Sequence, residues 1–149
     1  MIPVFDENGN LPRGIYWADW SEFVERFGTT PKRLRLIEKL KIVMLELHAA
    51  GCPTIYINGS FVTNKLNPGD FDVCWEPNGV DFNYLKTVSP ILYNPRQTIN
   101  QKARYGGEIF RADLPANIDG IMYIDFFQFD TRTNTLKGII AIDLLRWKP

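Results

Sequence analysis

"YINGSFVTNKLNPGDFDVCWE", residues 56–76, is the stretch whose reading decides the fold. With the two residues before it, "TIYING" from Thr54 to Gly59 predicts a buried strand that ends in glycine. Ser60 to Lys65 predicts a turn or a brief helix, and "LNPGD", Leu66 to Asp70, predicts a turn. "DFDVCWE", Asp70 to Glu76, alternates. Residues two apart in a strand project from one face, so Asp70, Asp72, Cys74 and Glu76 share one side and Phe71, Val73 and Trp75 the other. Either a binding site or a turn followed by a solvated strand face accounts for this stretch.

Upstream, the chain to Gly14 is rich in Pro, Gly and Asn and predicts an extended arm. Ala18 to Gly28 predicts a short helix, with Trp20, Phe23, Val24 and Phe27 at helical spacing. Thr29-Thr30-Pro31 supplies an N-cap and a first-turn proline for the strongest helix, Lys32 to Ala50. Leu36, Leu40, Val43, Leu47 and Ala50 form its apolar stripe, and Arg33, Arg35, Lys39 and Lys41 fall largely outside it. Gly51 and Pro53 end it.

Downstream, Asp81 to Val88 predicts a helix that Pro90 breaks, and Gly106-Gly107 predicts a turn before a short strand. "IMYIDFFQFD", Ile121 to Asp130, is aromatic, β-branched and bounded by turn residues, and predicts a strong strand. Leu136 to Trp147 fits a strand or a closing helix. The expected fold is α/β (α+β): one small mixed sheet with flanking helices in a single domain, residues 1–149, where 1–31 form an arm and short helix and 32–149 the core.

Composition narrows the function. Seventeen basic and seventeen acidic side chains give a formal charge of zero, which argues against tracking long DNA through a basic field. No run approaches the roughly 18–20 apolar residues that span a bilayer, so no membrane is expected. The N-terminus lacks a basic region followed by an apolar one, and the cytoplasm is the expected location. Cys52 and Cys74 make no disulfide framework, although a single bridge stays open, and they lack zinc-site spacing. A lone histidine, His48, in a helical pattern, leaves no room for catalysis by a histidine pair or triad.

The chemistry-bearing residues are acids. Asp70 and Asp72, side by side, repel each other unless a cation relieves them, and carboxylate pairs suit Mg²⁺ with substrate phosphates. Gly59 permits close backbone approach and Ser60 offers a hydroxyl and an N–H to a phosphate oxygen. Asp125, in "YIDFF", is an acid in an apolar strand and so must be paired, hydrogen-bonded or metal-bound. If that strand lies beside Asp70 and Asp72, three carboxylates converge; a buried Arg or Lys partner is the alternative. Lys102 and Arg104 form a basic cluster beside a turn, suited to a triphosphate or simply to the surface.

Asn58-Gly59-Ser60, nine residues, Asp70-Phe-Asp72-Val, and a later Asp125 between apolar residues together resemble the nucleotidyltransferase superfamily with the polymerase β-like palm. The shortness resembles the minimal nucleotidyltransferases of bacteria and archaea. That resemblance implies a palm-like sheet, two Mg²⁺ ions on Asp70, Asp72 and Asp125, and phosphates held by Gly59 and Ser60, with Lys102 and Arg104 as the best candidates for further contacts. It implies transfer of a nucleoside monophosphate from an NTP, ATP favoured, to an acceptor hydroxyl on protein or RNA. It also implies a place, as antitoxin or toxin, in a toxin–antitoxin module. Two alternatives are a catalytically weak member that binds and neutralises a partner protein such as a toxin, with Tyr16, Trp17 and Trp20 as contacts, and a nucleotide sensor without turnover.

Overall fold

The computed structural model describes residues 1–149. In chain order the elements are β1 (Ile15–Trp17), α1 (Trp20–Phe27), α2 (Pro31–Ala49), β2 (Thr54–Asn58) and a 3₁₀ turn (Gly59–Val62). Then come β3 (Phe71–Trp75), α3 (Phe82–Val88), α4 (Pro90–Tyr93), α5 (Thr98–Tyr105) and β4 (Gly107–Arg111). α6 (Tyr123–Phe126), β5 (Phe129–Asp130), β6 (Thr135–Leu136) and β7 (Ile139–Asp143) complete the chain. The fold is α+β: a mixed five-stranded sheet in the order β1-β7-β2-β3-β4, with a two-stranded β5-β6 ribbon beside it. None of the helices is long and apolar enough to cross a membrane.

The sheet has two unlike faces. Ile55, Ile57, Phe71, Val73, Trp75, Ile109, Ile140 and Ile142 join α1 to α5 in one cluster of 28 buried residues. Tyr56, Cys74, Phe110, Ile139 and Ala141 form a much smaller cluster on the other face, covered by Tyr123, Ile124 and Phe127. A thin cover leaves the end of that second face open, and the polar residues of β2, β3 and β4 lie there. Cys52 and Cys74 are both buried and free, so no bridge forms.

Local chemistry explains most boundaries. Thr30 caps α2, its side chain accepting from the Arg33 N–H at 3.2 Å, with Pro31 at the first helical position. The apolar stripe of α2 is buried as its spacing implies. Arg33 is the exception: predicted to lie outside the stripe, it is 2% exposed. Its guanidinium donates to the carbonyls of Phe61 at 2.7 Å, Thr63 at 2.9 Å and Lys65 at 2.6 Å, with longer bonds to Phe27 and Leu66 at 3.3 Å. The stretch from Phe61 to Leu66 makes few backbone bonds of its own, so one buried cation serves its carbonyls.

Ile121 to Asp130 departs from the strand predicted for it. It forms the short helix α6 and then one arm of the β5-β6 ribbon. β propensity reports fit to a pleated, half-buried surface, and here no strand of the main sheet lies alongside. Tyr123 and Phe127, four apart, instead turn to the same side and pack on Phe110, with the Tyr123 ring stacked at 4.1 Å. Of the stretch from Leu136 to Trp147, Ile139–Asp143 forms strand β7 between β1 and β2, Leu136 ends β6, and a turn, not a closing helix, follows β7.

Arg33→Met keeps the side-chain stem and strands several buried carbonyls. It is expected to lower unfolding free energy by about 3 kcal/mol, measured by urea denaturation. Amide exchange should accelerate first between residues 61 and 66.

Candidate functional site

Three polar side chains stand in a row across the open end of the second face. β2 and β3 are antiparallel with Asn58 opposite Asp72, and β3 and β4 are parallel with Asp72 opposite Glu108. Cross-strand partners project from the same face, so Asn58, Asp72 and Glu108 are neighbours. The next row inward, Tyr56, Cys74 and Phe110, is apolar and buried. The acids therefore sit at the rim of an apolar floor. Asp70 lies one residue before β3 and reaches the same rim.

Gly59 explains the close fit of the turn to this row. Its φ is +77°, a left-handed conformation, and a Cβ there would collide with Oδ2 of Asp72. The backbone thus passes directly against the Asp72 carboxylate. Asn58 is fully buried, yet neither its Oδ1 nor its Nδ2 has a hydrogen-bond partner. Buried amides are normally satisfied, so the Asn58 amide leaves a free donor and a free acceptor beside Asp72.

Charge is concentrated here. Burial first, then the nearby Asp70 and Glu108 carboxylates, push the Asp72 carboxyl up to about 7; Lys102 and Lys137 act in the opposite direction. Lys102, on α5, places its ammonium 3.4 Å from Asp70 and 3.1 Å from Glu108. Contact with Glu108 first, then with Asp70, holds its pKa above the ordinary lysine value. Its position is set by Gln101, which is fully buried. Gln101 accepts from the Ile109 N–H at 2.9 Å and donates to the Ile109 carbonyl at 3.1 Å, which fixes α5 against β4.

A polar cleft of about 520 Å³ opens beside the row. Ser60, Thr63, Asn64 and Asn10 line it together with three cations, Lys65, Arg132 and Lys137, and with Asp130, which pairs with Arg132 at 3.4 Å. Lys137 joins the cleft to the acids: burial lowers its pKa, and Asp130 and Asp72 partly oppose that. Asp130 is itself held down to about 2, chiefly by the Asn10 amide, which donates to it at 2.8 Å. Cations beside a hydroxyl and the opening of a 3₁₀ turn suit phosphate oxygens.

The sequence candidates divide accordingly. Asp70, Asp72, Gly59, Ser60 and Lys102 come together. Asp125 does not join them: it is exposed on α6, outside the main sheet, and is not among the charges that act on Asp72. The third acid on a neighbouring strand is Glu108, which sequence reasoning missed. Its signal was an acid directly after Gly106-Gly107 in the short apolar run "EIF". Gly107 is needed there because a Cβ would strike the Phe71 carbonyl across the β3–β4 ladder. Arg104 also lies elsewhere, its guanidinium 5.5 Å from the centre of the Tyr105 ring, whose hydroxyl donates to Glu46. The cations of the Ser60 cleft are Lys65, Arg132 and Lys137, not Lys102 and Arg104.

The donor set suits a hard divalent cation. Asp70, Asp72 and Glu108 offer carboxylate oxygens, the Asn58 amide is unpartnered, and Gly59 lets the backbone close in. As the side chains stand, no three acids converge on one metal-sized point, and the Lys102 ammonium contacts two of them.

Asp72 gives a pH signature. Its carboxyl titrates higher folded than unfolded, so the stability it contributes is present below about pH 4 and is lost as pH rises through about 7. Metal-free Asp72→Asn protein should therefore match wild type near pH 4 and exceed it by up to about 4 kcal/mol at pH 8, read by urea denaturation across pH.

No curated protein and no solved structure matches the chain. Residues 3–143 match a family described as "Family of unknown function (DUF6932)", and that span covers nearly the whole sequence. The chain belongs to this family of unknown function, DUF6932.

Proposed function

We propose that this protein is a Mg²⁺-dependent nucleotidyltransferase that moves a nucleoside monophosphate from an NTP to an acceptor hydroxyl, with Glu108 in the role that sequence reading assigned to Asp125. The observation that carries the proposal is the Asn58-Gly59-Ser60 turn pressed against Asp72, with Glu108 alongside and a basic cleft opening at Ser60. Acids that can hold metal ions beside a cleft whose lysines can meet phosphate oxygens suit phosphoryl and nucleotidyl transfer.

Each residue has a role in this scheme. The Ser60 hydroxyl, Lys65, Arg132 and Lys137 hold the β- and γ-phosphates. Asp70, Asp72 and Glu108 are the side chains that would hold magnesium. Bound there, magnesium would neutralise phosphate charge and make the α-phosphorus more electrophilic. Glu108 accepts the proton of the acceptor hydroxyl as its oxygen forms a bond to the α-phosphorus. The bond from that phosphorus to the β-phosphate oxygen breaks, and pyrophosphate leaves. The apolar floor of Tyr56, Cys74 and Phe110, with Tyr123 above it, keeps water away from the inner side of the acids.

Incubation with each α-labelled NTP, Mg²⁺ and protein or RNA acceptors tests the scheme. Label transfer should fall at least about a hundredfold in Asp72→Ala and Glu108→Gln. Asp125→Ala should transfer as wild type does. Loss of transfer in Asp125→Ala with Glu108→Gln unaffected would overturn the assignment of the third acid. Tight NTP binding without any product would identify a sensor instead.

The cleft makes a separate prediction. Lys137→Met should weaken ATP binding about tenfold, the effect of one charge-assisted hydrogen bond, and should leave adenosine binding unchanged. Isothermal titration with ATP and adenosine distinguishes the two.

A further inference from the structure

Lys102 has no place in that scheme, although it makes the shortest ionic contacts to the acids. Its ammonium lies 3.1 Å from Glu108 and 3.4 Å from Asp70. The buried Gln101 beside it anchors α5 to β4 through Ile109, so the lysine is aimed at the row by the fold and not by a mobile loop. Gly106, left-handed at φ +88° and packed against Lys39, turns the chain sharply from α5 into β4. Lys102 and Glu108 are thereby brought face to face. The lysine side chain nevertheless remains 48% exposed, so it has room to leave.

Like carboxylates on adjacent strands destabilise one another, and a cation between them removes that repulsion. An ammonium does so with one charge; a divalent ion does so with two and binds the oxygens directly. Both cannot occupy the same gap. The ammonium sits between the two carboxylates, 3.4 Å from Asp70 and 3.1 Å from Glu108, where a shared divalent ion would have to lie.

Resting on the proposal that the row binds a divalent ion, we propose that Lys102 is a built-in placeholder. Its ammonium occupies the gap between Asp70 and Glu108 in the metal-free protein and must swing out before those two carboxylates can share a divalent cation. The lysine keeps the acids together while the site is empty, and it sets a threshold on cation binding.

Mn²⁺ binding, followed by electron paramagnetic resonance on the full chain, tests the placeholder. Lys102→Met keeps the stem and removes the competitor, so it should bind Mn²⁺ about tenfold more tightly than wild type, as expected if the open arrangement is about a tenth populated. Arg104→Met is the control. It removes an equal charge from α5 outside the row, and its Mn²⁺ affinity should equal that of wild type. In wild type, Mg²⁺ should raise the rate at which Lys102 is acylated by an amine reagent, read by mass spectrometry. Equal or weaker Mn²⁺ binding by Lys102→Met, or acylation unchanged by Mg²⁺, overturns the placeholder alone. Absence of Mn²⁺ binding in wild type and Lys102→Met alike overturns the cation site itself, and the placeholder with it.

Discussion

The buried guanidinium of Arg33 is the contact on which the rest of the arrangement depends. It ties α2 to the segment from Phe61 to Leu66 by bonds to backbone carbonyls alone. No carboxylate neutralises it; its charge is solvated by peptide dipoles. Phe61 contributes twice, since its ring also lies 4.9 Å from the guanidinium carbon. That segment continues directly from the Gly59-Ser60 turn. Fixing its far end fixes the turn, which then decides how closely the backbone approaches Asp72.

Above that scaffold the open end of the sheet is a problem in electrostatics. Asp70, Asp72 and Glu108 crowd one rim, with Lys102 and Lys137 as the cations that act on Asp72. The two lysines differ in kind. Lys102 is solvated and held by direct contacts, whereas Lys137 is largely desolvated and feels Asp130 and Asp72 without a close ion pair. An acidic row next to a cleft with a desolvated lysine sets charges of both signs side by side at this end of the sheet.

Several elements were legible because local signals agreed with tertiary ones. The α2 stripe, the Thr30 cap and the alternation of β3 each point to one answer. Arg33 was not legible, because periodicity sorts residues by polarity and cannot reveal a set of carbonyls waiting for a cation. Lys102 and Arg104 looked like one cluster, but two helical positions apart they point about 160° away from each other. One meets the acids and the other meets Tyr105. The strand expected for Asp125 failed for a related reason. "YIDFF" has strong β character, yet its aromatic pair finds Phe110 only as a helix.

Glu108 reaches the side of Asp72 at a lower desolvation cost than an acid in mid-strand would. An acid in the middle of a long aromatic strand has to be desolvated and paired. Glu108 instead enters at the second residue of a short strand, just after the Gly106 turn, where its carboxylate is only partly buried and a lysine from α5 reaches it. The glycine before it lets β4 close on β3, which puts Glu108 directly opposite Asp72. Acidity is thus placed at the sheet's rim, where water and cations have access, and the apolar residues of the same strand, Ile109 and Phe110, remain free to build the two cores.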